Sequence, residues 1–236
     1  MTPLVLSALV ASSLGLQQAD LRQRLVDRGA APEFAQQVVQ VVAGARTAGL
    51  PVEPLADKAF EGLAKGYPAE RILPVVQLMA DRLRAGRAIV VSAGLTQPPG
   101  RVVAAAAEAL GRGIERTEIL EVLRAAPGPH AGSVRLTVAA SLVAQGIGSR
   151  DATRAVETAY HEGRSAQELL ELPSVTSSWL AEGVTLPEVV KRIHEGRAIP
   201  FPPGRGAGTG GPPGLRPGTG PPINPPGKSG NKPNRP

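Results

Sequence analysis

The sequence predicts an all-α protein built of stacked helical hairpins, an irregular α-solenoid or superhelix, with a disordered Pro/Gly-rich C-terminal tail. Three observations carry that expectation. Apolar residues recur at helical spacing from residue 30 onward with no comparable strand alternation, a glycine followed six positions later by an apolar residue returns again and again, and the composition changes abruptly after Ile199. Of 236 residues, 42% are apolar and only 3% aromatic, with 28 Gly, 24 Pro and no Cys. Twelve of the prolines and ten of the glycines fall in the last 37 positions, which leaves a foldable body nearer 180 residues.

Taken in chain order, residues 1–18 read first as a signal peptide. Met1 to Leu16 is uncharged, apolar and rich in small residues, and the first charged residue is Asp20. The run is too short to span a bilayer but has the length of a secretory h-region, and Ala11-Ser12-Ser13 or Ser13-Leu14-Gly15 offers small residues for cleavage. A secreted or periplasmic location follows as an expectation, with cleavage near residues 13–19 and no transmembrane segment.

Residues 19–92 are expected to form a first helical hairpin subdomain. Phe34, Val38, Val41, Val42 and Ala45 share one helical face, as do Ile72, Val75, Val76, Met79 and Leu83. Residues 93–100, Ala-Gly-Leu-Thr-Gln-Pro-Pro-Gly, then stop any helix and form a Pro/Gly loop, favoured as a longer turn within one superhelix. Residues 101–199 form a second set of hairpin repeats, with faces at Val103, Ala106, Ala107 and Leu110, at Val138, Ala139, Leu142 and Val143 with Arg135 at their edge, and at Leu186, Val189, Val190 and Ile193.

The repeat itself is a glycine turn. Gly49, Gly66, Gly113, Gly146, Gly163 and Gly183 are followed six residues later by Leu55, Ile72, Ile119, Ala152, Leu169 and Val189. In all but Gly163, where Arg164 follows, the next residue is also apolar or aromatic. A glycine that takes the left-handed conformation ends a helix, and the apolar residue after it packs back on the last turn. Ser165 with Glu168 and Thr185 with Glu188 have capping-box spacing for the helix that follows. His161-Glu162-Gly163-Arg164 returns at His194 to Arg197, and Gly86-Arg87-Ala88-Ile89 at Gly196 to Ile199, which supports duplication with a period near that of helical hairpins.

The formal charge of +6 points toward nucleic acid or an anionic surface until the charges are located. Residues 200–236 hold Arg205, Arg216, Lys228, Lys232 and Arg235 and no acid, so the rest of the chain is nearly neutral. Basic residues interleaved with exposed aromatics, as single-strand binding needs, are absent, and Tyr67, Tyr160, Phe34, Phe60 and Trp179 are expected in the core. No specific nucleic-acid partner is expected; the tail has the makings of a weak anionic-surface contact. Pro200, Pro203 and Arg205 match PxxPxR, a pattern that a proline-rich linker meets by chance.

No catalytic, cofactor-binding or metal-ligating residue is assigned, and no cofactor is expected. Without cysteine there is no disulfide framework, thiolate zinc site, cysteine nucleophile or lipid-anchor motif. Gly206 to Gly211 fits GxGxxG, but Pro212 and Pro213 follow, so no helix N-terminus presents its N–H groups to a phosphate. Gly227-Lys228-Ser229 ends like a P-loop, yet Pro222 stands where the first glycine belongs. The carboxylates Glu108, Glu115, Glu118, Glu121, Glu157 and Glu168 read as charged helix surface. The expected function is therefore a non-catalytic, exported helical-repeat protein, an interaction or scaffold module for a protein or peptide in the cell envelope. Two alternatives stand beside it. One is a cell-wall-acting hydrolase in which His161, Glu162, His194 and Glu195 meet across the stack; the other is an anionic-polymer binder acting through the tail.

Overall fold

The computed structural model describes residues 19–195. The expectations of a signal peptide in residues 1–18 and a disordered tail in residues 200–236 lie outside the described residues. So do the second copies of both short identities from Gly196 on, the GxGxxG and Gly-Lys-Ser matches, and PxxPxR.

Among the described residues there are ten helices and no strand. Residues 19–27 are helical and are designated α1. The rest are α2 (Pro32–Thr47), α3 (Glu53–Ala64), α4 (Ala69–Ser92), α5 (Gly100–Gly111), α6 (Arg116–Ala125), α7 (Pro129–Ala144), α8 (Ser149–His161), α9 (Ala166–Ala181) and α10 (Leu186–His194). Proline occupies the first or second position of α2, α3, α7 and α10, where its missing N–H costs no helical bond. No helix of the described residues is long and apolar enough to cross a membrane.

All six glycines of the repeat have positive φ, and so do Gly29 and Gly94, which the pattern had not included. Each of the eight ends its helix by the same pair of bonds. At Gly113, for example, φ is 86°, the Gly113 N–H donates to Leu110 O at 3.0 Å and the Ile114 N–H reaches back to Ala109 O at 3.0 Å. Leu50, Ile114 and Ile147 then bury themselves on the turn they close, and the six apolar residues downstream, from Leu55 to Val189, are all buried. Gly29 extends the series, since Ala35 six residues on is fully buried. Helix α6 ends differently. Ala126 is extended, as the residue before Pro127 must be, and Gly128-Pro129 starts α7 directly.

The helices pack against their near neighbours in sequence. α4 lies on α2, α3, α5 and α6; α7 lies on α5, α6, α8 and α9; and α10 closes on α8 and α9. Two apolar clusters result. The first joins Leu21 and Leu25 of α1 through Leu83 of α4 to Val103 and Ala107 of α5. The second runs from Ile89 and Val90 at the end of α4 to Val189 and Ile193 of α10. α5 therefore faces both cores, burying Val102, Val103, Ala105, Ala106, Ala107 and Ala109, which explains why it is almost all small residues. At Gly86 the backbones of α4 and α5 come so close that a Cβ would stand 2.9 Å from Ala107 N and Val103 O.

Four expectations are corrected by this packing. Val75, placed with the α4 core face, is 46% exposed, because the face that α4 buries is centred on Ile72, Val76 and Leu83. Tyr67 is 50% exposed on the turn before α4, although its backbone N–H reaches back to Gly62 O at 3.1 Å. Arg135 is not at an edge but is 1% exposed, deep in α7. Thr185 caps nothing with its side chain; Glu188 turns along α10 to pair with Arg192 at 3.3 Å and Lys191 at 3.9 Å. The capping box at Ser165 does form: Glu168 N–H donates to Ser165 Oγ at 3.2 Å, and Ser165 N–H to a Glu168 carboxylate oxygen at 2.7 Å. Glu115 and Glu118 make another, with Glu115 N–H donating to Glu118 at 3.1 Å.

Candidate functional site

A shallow groove of about 350 Å³ lies where four helices converge. Met79 and Leu83, one turn apart on α4, make its floor with Ala104 and Ala105 of α5; Pro54 at the start of α3 and Thr137 on the exposed side of α7 form its ends. Met79 and Ala104 are partly exposed there, over Leu83, which is fully buried, and Ala105, which is nearly so. Larger side chains would close the space that the tight α4–α5 approach leaves. Arg101 and Glu108, seven residues apart and so on one face of α5, put opposite charges on the rim. Glu108 is held by Arg112, whose Nε donates to it at 2.8 Å.

A second hollow, about 260 Å³, is lined by Ala93, Gly94 and Leu95 after α4, Leu123, Arg124 and Ala126 at the end of α6, and Gly128 and Pro129 entering α7. Its arginine is already employed. Arg124 Nη2 donates to the carbonyl of Ser92 at 3.4 Å and Arg116 Nη2 to the Ser92 hydroxyl at 3.3 Å, so both cations serve the negative end of α4.

The polar centre that sequence reasoning missed is internal. Arg135 Nη1 donates to both carboxylate oxygens of Glu157, at 2.9 and 2.8 Å, Nη2 to Ala125 O at 3.4 Å, and the guanidinium lies 3.7 Å from the centre of the Tyr160 ring. This ties α7 to α8 and to the end of α6. Glu157 is thus more than charged helix surface, and the one hint was an arginine inside an apolar period.

The histidines fall at helix ends. His161 closes α8, exposed, its ring edge-on to Tyr160 at 5.9 Å between centroids. His194 is in the last turn of α10, half-buried, with Nε2 buried and without a hydrogen-bond partner. The second pair, His194 and Glu195, closes the described chain on α10, which packs on α8. Glu162 is exposed at the end of α8. Among the described residues no three His, Asp or Glu side chains gather as metal ligands would. His130, the remaining histidine, is exposed at the start of α7, where its carbonyl accepts from the Ser133 hydroxyl at 2.8 Å. Of the other carboxylates singled out, Glu121 is exposed on α6.

No protein family, curated protein or solved structure matches this chain.

Proposed function

We propose that this is an exported, non-catalytic helical-repeat protein whose groove between α3, α4, α5 and α7 receives a segment of a protein or peptide partner in the cell envelope. The observation that carries the reading is the groove itself: partly exposed Met79 and Ala104, backed by buried Leu83 and Ala105, between a cation and an anion, Arg101 and Glu108, on one helix face. An apolar floor supplies affinity and a charged rim sets the register of what lies on it. Stacked helices suit this task because each contributes side chains to a surface longer than any one turn provides. Export is supported by the uncharged apolar run of Met1 to Leu16.

The test is site-specific crosslinking followed by direct binding. A photo-reactive residue at Thr137, exposed beside the groove, should crosslink one partner in the native host, and the same residue at Thr117 on α6 should not. With that partner purified, Ala104→Arg should weaken binding by about tenfold or more by filling the floor. His161→Ala with His194→Ala should leave it unchanged. Binding by the groove should also persist as salt rises, unlike binding carried by the five tail charges. Equal crosslinking from both positions, or binding indifferent to Ala104→Arg, would defeat the proposal; an activity abolished by the double histidine change would replace it with the hydrolase reading.

A further inference from the structure

α9 carries a proline in its middle, Pro173, and the halves on either side of it are held differently. With no N–H to give, Pro173 leaves the carbonyl of Leu169 without its helical donor. Ahead of the break Leu169 and Leu172 are buried in the core. Beyond it the same stripe continues at Thr176, which is fully buried with its hydroxyl lacking a hydrogen-bond partner. No apolar side chain of residues 174–182 is buried; Trp179 and Leu180 pack on the core but stay partly exposed. Gln145, at the end of α7, donates its Nε2 to Pro173 O at 2.8 Å, yet its Oε1 is also buried without a partner. Pro74 makes the same defect in α4, but that helix goes on to bury Val76, Ala80, Leu83, Ile89 and Val90, so its second part is fixed.

We infer that residues 174–182 form a flap that lifts from α7 as a unit, hinged at Pro173 and at Gly183, whose φ is 86°, while α10 stays on the fold. Local opening is easiest where few apolar side chains are buried and buried polar groups lack partners, and this segment adds a missing helical bond to both. Lifting it gives water to the Thr176 hydroxyl and to Gln145 Oε1, and withdraws only the partly buried Trp179 and Leu180 from the core. α10 has the opposite balance, since Val189 and Ile193 are buried and the helix packs on α8. Arg192 of α10 lies 5.4 Å from the centre of the Trp179 ring, but Glu188 of its own helix also holds that arginine, at 3.3 Å. None of these residues lines the groove, so the flap is independent of the function proposed above.

Hydrogen exchange of the full chain, read residue by residue and corrected for intrinsic rates, tests the inference. Amides of residues 176–182 should exchange at least about tenfold faster than those of residues 153–160 in α8 and residues 190–194 in α10. Thr176→Val keeps the side chain's shape and removes the unpaired hydroxyl. It should slow exchange in the flap by about tenfold and leave the other two sets nearly unchanged. Pro173→Ala restores an N–H to the Leu169 carbonyl and should slow the flap as well. Uniform exchange across the three sets overturns the inference. So does α10 exchanging ahead of the flap, which would be fraying from one end instead of lifting between two hinges, or a Thr176→Val chain whose flap exchanges as fast as the wild type.

Discussion

Arg135 and Glu157, 22 positions apart in sequence, are joined across α7 and α8 by one guanidinium nitrogen that donates to both carboxylate oxygens at 2.9 and 2.8 Å. The arginine is 1% exposed and the glutamate side chain 23%, so the cation depends on this partner and on the Tyr160 ring for what water would otherwise supply. Its Nε remains without an acceptor.

Removing one member should therefore cost more than removing both. Glu157→Ala should lower unfolding free energy by about 3 kcal/mol, the low end for a broken buried pair because the carboxylate keeps some contact with water. Arg135→Met combined with Glu157→Leu should cost less than Glu157→Ala alone. Urea unfolding of the three proteins checks the order, and a double variant less stable than the single one would show that the pair contributes more than the satisfaction of a buried charge.

Two glycines inside helices should respond to alanine with opposite sign. A Cβ at Gly86 would meet backbone of α5 at 2.9 Å, and backbone cannot swing aside, so Gly86→Ala should force α4 and α5 apart and cost about 1–3 kcal/mol. Gly44 in α2 has nothing within 4 Å of that position, and Gly44→Ala should stabilise by about 0.5–1 kcal/mol through helix propensity. Thermal melts of both would read the difference directly.

Much of this fold was legible because its turns depend on a conformation that glycine alone adopts cheaply. Gly49, Gly66, Gly113, Gly146, Gly163 and Gly183 all take positive φ, and the apolar residue six positions on is a buried core contact of the next helix. Arg164 breaks the apolar rule yet its N–H still reaches Ala159 O at 3.1 Å, since the closing bond is made by backbone. What stayed hidden depends on pairs distant in sequence. Periodicity shows that α4 has apolar faces but not which one its neighbours cover, so the spacing that places Ile72 and Val76 inward predicts Val75 inward as well. An arginine inside an apolar run reads as an edge until Glu157 is seen to face it. The groove was invisible for the same reason, being assembled from α3, α4, α5 and α7 by contacts that no local pattern encodes.

The turn bonds make a further prediction at Gly113. Its φ of 86° is strained for any residue with a Cβ, so Gly113→Ala should cost about 1–2 kcal/mol although nothing lies within 4 Å of the added methyl. Gly113→Asn should cost less, as asparagine visits this region more readily. Equal stability of alanine variant and wild type, in denaturant titration, would mean that the α5–α6 turn relaxes out of the left-handed form.

Glu61 supplies the acid-sensitive element of α3. Lys58 and Lys65, three residues before and four after it, donate to its two carboxylate oxygens at 2.5 and 2.6 Å, and these bonds, Lys58 first, hold its pKa down at about 2. The unfolded chain should titrate this group near the ordinary value of about 4.3. Folded pKa below unfolded pKa means the unfolded chain takes up the proton first; the contribution is full above about pH 5 and is lost as pH falls toward 2. Carboxyl carbon shifts followed by NMR should place the Glu61 midpoint near that low value in the wild type. Lys58→Ala should raise it more than Lys65→Ala does, and Glu61→Gln should flatten the fall in melting temperature between pH 5 and pH 2.5. A wild-type midpoint in the ordinary glutamate range would show that the two lysines spend their time in solvent.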